Sequence, residues 1–181
     1  MRRQIAVWYM QPVQERTILK QAKEKEQIIY GARSIQKQIG IISRSTDDYD
    51  IFTSNPKQRA NTIQKELDNR LGFNYYYAKK GKNKGTYKVK SFGNDMQKGT
   101  RDDVGIVDYT EMPKKKPRYI ISKGIKYRHL NEEIAAKKKA LADKNFAFRH
   151  VKDRRDLILM QIRINSGKLI IPINKLKGGS N

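Results

Sequence analysis

Three carboxylates stand out by type and spacing. Asp48 and Asp50 lie one residue apart just before Ile51 and Phe52, and Asp108 sits inside the apolar run Ile106-Val107-Asp108-Tyr109. If residues 48–52 form a strand, side-chain alternation puts Asp48 and Asp50 on one face with Cα atoms roughly 7 Å apart, a distance that one divalent cation can bridge. Paired carboxylates repel each other unless a cation lies between them, and a carboxylate flanked by apolar residues is costly to bury without a partner. The chemistry implied is a hard-metal site built from oxygen ligands. A solvated turn is the competing reading, because Ser45-Thr46-Asp47-Asp48 also has turn composition.

Positioning these acids requires strands, and the sequence predicts them between helices. Residues 1–10 carry Ile5, Val7, Trp8 and Tyr9 as a short strand or extended arm that Pro12 ends. A charged helix is expected over 15–29, with Ile18, Leu19, Ala22, Gln27 and Ile28 on a ragged inner face. Gly31-Ala32 forms a turn into a short helix from Ser34 to Gln38, which Gly40 stops. Ile41-Ile42 leads toward the Asp48–Phe52 strand. Thr53-Ser54-Asn55-Pro56 then starts a helix that buries Ala60, Ile63, Leu67 and Leu71 and closes at Gly72.

Residues 73–78 and 85–92 read as a hairpin around the basic loop KKGKNKG, a polar and mobile segment covers 93–103, and 104–109 is the strand that carries Asp108. After the linker Pro113-Lys114-Lys115-Lys116-Pro117, short strands are expected at 119–121 and 124–127, then basic helices over 131–144 and from Phe146 or Arg149 to Ile162. The whole predicts one α+β domain over 1–165, a mixed sheet flanked by helices with two basic helices at its C-terminal end. Residues 166–181 form a tail in which Leu169-Ile170-Ile171 suits an edge strand or a docking segment, as does the Trp8 region.

Charge bounds the partners. Lys and Arg number 40 against 18 acids, a net charge of +22, and a field of that sign favours a polyanion, nucleic acid or nucleotide phosphate. No apolar run approaches the ~18 residues that span a bilayer, and residues 1–11 are too short and polar for a secretory signal. The expectation is a soluble intracellular protein, cytoplasmic or packaged in a particle, free or in a larger assembly. Cysteine is absent, which excludes disulfides and zinc–thiolate sites.

The order of turn, helix, paired acids, helix, hairpin and third acid resembles the minimal nucleotidyltransferases of the DNA polymerase beta superfamily. Gly31-Ala32 stands at the family's Gly-Gly or Gly-Ser turn, Asp48-Tyr49-Asp50 at its paired acids, and Asp108 at its third carboxylate. The later segments, with Lys137, Ala140 and Leu141, then Arg149, Lys152, Asp153, Asp156 and Leu157, resemble the helical part of abortive-infection-type nucleotidyltransferases. The likeness covers residues 28–160 by pattern. It implies that Asp48, Asp50 and Asp108 hold two magnesium ions and that a nucleoside triphosphate is the substrate. It also implies that Gly31, Ala32, Arg33 and Ser34 cradle the triphosphate, with Lys137, Arg149 and Lys152 adding positive charge. Ala32 departs from the pattern, since a serine hydroxyl is missing there; the backbone amides survive the change, and Arg33 offers charge instead.

Two function classes follow. One is a metal-dependent nucleotidyltransferase with a nucleic-acid acceptor, RNA before DNA, held by Lys79, Lys80, Lys82 and Lys84 around the hairpin loop and by stacking on the Tyr75-Tyr76-Tyr77 run. The other is a non-catalytic basic module that binds nucleic acid on the same scaffold, which the charge suits equally well. Three acids on a phosphate-binding face favour the first. His129 and His150 are too isolated for a metal pair and read as satisfied or surface side chains.

Overall fold

The computed structural model describes residues 2–40 and 46–167, with residues 2–10 described by backbone alone. The elements in chain order are α1 (Arg2–Glu24), β1 (Ile28–Tyr30), α2 (Ala32–Ile39), β2 (Tyr49–Thr53), α3 (Pro56–Leu71), β3 (Tyr76–Lys80), β4 (Thr86–Ser91), β5 (Val104–Glu111), β6 (Tyr119–Ser122), β7 (Ile125–Arg128), α4 (Leu130–Ala142), a 3-10 segment (Lys144–Arg149) and α5 (His150–Asn165). The contacts divide the chain into two compact units, Met1–Gln27 with Asp47–Met112, and Ile28–Thr46 with Pro113–Asn181. The reading from sequence takes residues 1–165 as a single domain.

In the first unit, β3 and β4 pair antiparallel, β4 and β5 antiparallel, and β5 and β2 parallel. One face of these strands is apolar because alternation sends Tyr49, Ile51, Val89, Val107 and Tyr109 to the same side, where all are buried with Ile18 and Ala22 of α1 and Ala60, Ile63 and Leu67 of α3. Tyrosine hydroxyls complete the attachment of α1: Tyr49 donates to Glu15 (2.6 Å), Tyr109 donates to Gln21 (2.5 Å), and Gln14 donates to the Tyr76 hydroxyl (2.8 Å). α3 starts with Pro56 in its first turn and ends at Gly72, whose φ of 76° suits glycine. Its Asp68 then accepts the Tyr75 and Tyr76 amides at 2.8 Å each and so sets the start of β3.

In the second unit, β1 and β7 pair parallel and β6 and β7 antiparallel. Ile35, Ile39, Leu130 and Met160 form the core between α2, α4 and α5, with Ile134, Leu157, Leu159 and Ile164 packed against it.

Three expectations are corrected. Residues 2–10 belong to α1, not to a strand or arm, and the helix runs through Pro12 at an exposed position, where it forgoes one backbone bond. The helix expected to reach residue 29 stops at Glu24, and the β-branched, aromatic Ile28-Ile29-Tyr30 forms a strand. Segment 93–103 is held by its own carboxylates: Asp102 accepts the Asn94 amide (2.6 Å), and Asp103 accepts the Gly99 amide (2.7 Å) and the Tyr77 hydroxyl. A Cβ at Gly93 would stand 1.9 Å from Asp102 Cγ, so this approach needs glycine. Ile41-Ile42 and the Leu169-Ile170-Ile171 run lie outside the described residues. No helix among the described residues is long and apolar enough to cross a membrane.

Candidate active site

The face of the first unit's sheet opposite its helices carries a row of charge. The parallel register pairs Asp50 of β2 with Asp108 of β5, and the antiparallel register pairs Asp108 with Lys88 of β4 and Lys88 with Lys79 of β3. Directly opposed residues share a face, so four strands contribute Asp50, Asp108, Lys88 and Lys79 in line. Asp48 and Asp50 are half-buried while Tyr49 between them is buried, the expected alternation, although the strand itself begins at Tyr49. The Lys88 ammonium donates to Asp108 Oδ2. Their side chains are 37% and 14% exposed, so the pair is open on the lysine's side. Burial pushes the Asp108 carboxyl above its usual value; the Lys88 bond opposes that shift and the Asp48 charge adds to it.

The donor set suits a hard divalent cation, since it consists of carboxylate oxygens and already draws one cation, the Lys88 ammonium, onto Asp108. The acids do not close into a three-ligand cage among the described residues. What Asp48, Asp50 and Asp108 offer is the carboxylate oxygen that a magnesium ion takes.

The residues expected at the phosphate turn lie in the second unit. Gly31 precedes α2 with φ 72° and ψ −146°, a backbone conformation open to glycine. Its amide donates to Glu133 Oε1 at 2.7 Å. Glu133 is buried and also accepts a two-pronged bond from Arg128, at 2.9 Å from Nε and 2.5 Å from the second nitrogen. Burial pushes the Glu133 carboxyl up, whereas at Arg128 burial is outweighed by the Glu133 charge and bond, which hold the guanidinium above its usual value; with three donors converging on Glu133, the ionised pair is the state we assign. The Ser34 side chain is buried and its hydroxyl donates to the Arg128 carbonyl at 2.6 Å, so what Ser34 retains for a ligand is its amide. Ala32 is buried and Arg33 half-buried in the same turn of α2.

Lys137, Arg149 and Lys152 sit on or beside α4 and α5. Lys137 is only 6% exposed, and its ammonium is shared between Asp153 (2.8 Å) and Asp156 (2.7 Å). Arg149 donates to both oxygens of Asp153, at 2.7 and 3.2 Å. Burial alone would raise the Asp153 carboxyl, but the Arg149 and Lys137 bonds outweigh it and hold it below the usual carboxylate value. Lys152 is half-buried on α5. Lys79, Lys80, Lys82 and Lys84 are exposed on and after the end of β3. Tyr76 and Tyr77 are buried, which leaves Tyr75 as the half-buried ring of that run.

No protein-family model and no curated protein matches this sequence. Solved structures do match it. The Megavirus polyadenylate synthase superposes with a TM-score of 0.66 at 17% identity, over 86% of this chain and 32% of its own. The fold is nucleotidyltransferase-like. JHP933 from Helicobacter pylori (TM-score 0.47, 14% identity, 75% of this chain and 57% of that one) and ANT(2″)-Ia in complex with adenylyl-2″-tobramycin (0.46, 14%, 84% and 88%) also match. The chain spans about a third of the length of the Megavirus protein.

The nucleotidyltransferase-like fold accords with the expected mixed α+β architecture. Sequence reasoning missed Lys88, Glu133 and Arg128. Lys88 had a signal: in Lys88-Val89-Lys90 the buried valine fixes which face the lysines take. Glu133 had none, because it lies 102 residues from the Gly31 amide that it accepts. His129 is buried and accepts the Asn131 amide at 3.2 Å, and His150 bonds the Ala140 carbonyl at 3.0 Å.

Proposed function

We propose that the chain is a metal-dependent nucleotidyltransferase that moves a nucleoside monophosphate from a nucleoside triphosphate to an acceptor hydroxyl, with RNA as acceptor ahead of DNA. The observation that carries this reading is the in-register pairing of Asp50 and Asp108 on adjacent strands of a nucleotidyltransferase-like fold. In the reaction the acceptor oxygen forms a bond to the α-phosphorus, the α–β phosphoanhydride bond breaks, and pyrophosphate leaves.

Asp48, Asp50 and Asp108 would hold the magnesium, which would offset negative charge on the triphosphate. Asp108 accepts the acceptor's hydroxyl proton. The first-turn amides of α2 bind phosphate, since a helix start leaves N–H groups without intrahelical partners. Gly31 shapes that turn and Glu133 fixes it through the Gly31 amide. Arg149 and Lys152 supply charge toward phosphate, and Lys137, bound by two aspartates, holds α4 to α5. The exposed lysines 79, 80, 82 and 84 bind the acceptor's phosphates.

The test is to incubate the protein with each of four labelled ribonucleoside triphosphates, magnesium and bulk small RNA, beside the Asp48→Ala/Asp50→Ala variant. Label on RNA with the native protein alone is the expected result and names the nucleotide. Label on protein redirects the acceptor. RNA binding by both forms with no transfer by either overturns catalysis in favour of a basic binding module.

A further inference from the structure

The acid row is not left to repel itself. Asp50 and Asp108 face each other in register, Asp48 lies close enough to shift Asp108 electrostatically, and Lys88 meets Asp108 from the other side. Lys88 reaches it from the middle of β4, between the buried Thr86 and Val89, so its backbone is fixed while its side chain remains more than a third exposed. The neighbouring Lys90 is anchored elsewhere, with its ammonium donating to the Asp103 carbonyl at 3.2 Å.

We propose that Lys88 is a built-in counter-cation of Asp108, and that it competes with a divalent metal ion for this carboxylate. The inference rests on the nucleotidyltransferase reading given above and adds a regulatory residue to that site. An ammonium and a divalent ion on the same carboxylate repel strongly, and the repulsion grows as solvent is excluded. Lys88 must therefore swing away for the ion to seat fully, and its flexible, solvent-facing stem permits this. The lysine offsets the Asp108 charge on the folded sheet when no metal is present, and it weakens metal binding by the work needed to displace it. A lysine held here sets the metal concentration at which the site turns on.

The test reads metal binding directly, by the loss of free Mn2+ signal in electron paramagnetic resonance, with the full chain and no nucleotide. Lys88→Met is expected to bind Mn2+ on the order of tenfold more tightly than the native protein. Lys88→Arg, which keeps the charge, stays near native affinity, and Asp108→Asn binds weakest. A second readout is thermal: without metal, Lys88→Met melts below the native protein, and Mn2+ raises its melting temperature by more than it raises the native one. Unchanged or weaker Mn2+ binding in Lys88→Met, with Asp108→Asn still impaired, overturns the counter-cation role and leaves the metal site standing. Absence of Mn2+ binding in native protein and Lys88→Met alike overturns both the role and the metal-dependent reading beneath it.

Discussion

Each unit sets lysine against aspartate, and the two settings differ in what surrounds the charges. In the second unit Lys137 is sealed between Asp153 and Asp156, and the partly exposed Arg149 reaches Asp153 from the edge of the group, so two cations meet two anions. In the first unit Lys88 meets Asp108 on an open sheet face where Asp48 and Asp50 add further negative charge. The first arrangement is closed and balanced, as expected of a group that fixes two helices. The second sets three acids near a lysine whose side chain is 37% exposed, the setting that the proposed metal site calls for. Burial of the lysine side chain, 7% exposed at Lys137 against 37% at Lys88, distinguishes the two settings where residue type alone does not.

Breaking the closed group should have the largest effect. Lys137→Met leaves two buried aspartates short of a cation and should cost about 3–5 kcal/mol, read from the urea unfolding midpoint. A loss below about 1 kcal/mol would place Lys137 with the surface pairs and remove the contrast. Next comes Asp50→Asn, which should lower nucleotidyl transfer by roughly 10³-fold while stability holds or rises by up to about 1 kcal/mol, because it relieves like charges opposed across strands. If that variant unfolds as easily as Lys137→Met, the acid row is structural too.

The contrast is sharpened by pH. The folded Asp153 carboxyl lies below its usual value of 3.8, so its stabilisation is present above that pH and is lost as pH falls through the folded value. Urea midpoints followed from about pH 5 to about pH 2 should fall less steeply for Asp153→Asn than for the native protein. The smallest effect is expected at the hairpin loop. Neutralising Lys79, Lys80, Lys82 and Lys84 together should reduce the salt slope of single-stranded RNA binding by up to about 3, with folding unchanged.

Much of this architecture was legible because short-range signals specify it. Pro56 and Gly72 bracket α3, the hairpin follows from its loop composition, and alternation around Tyr49 and Val107 identifies the faces of β2 and β5. The start of the chain was misread because Pro12 was weighed as a breaker, while the rest of the segment carries enough helical propensity to continue past it. The partners of the site residues were legible only in part. The pairing of Arg149 with Asp153 follows from their spacing of one turn. That Lys137 would bond both Asp153 and Asp156, or that Glu133 would accept the Gly31 amide, depends on tertiary approach that no local pattern encodes.

The parallel pairing of β2 with β5 has a consequence for how this chain tolerates change. Asp50 and Asp108 are separated by 57 intervening residues, which include α3 and the hairpin, yet backbone bonds between the two strands alone set their spacing. Length can therefore be added at the exposed tip between β3 and β4 without moving one acid relative to the other. A reporter peptide or affinity tag inserted after Lys82 should leave the pair's geometry intact, whereas a single residue inserted within β5 would turn Asp108 to the opposite face of the sheet.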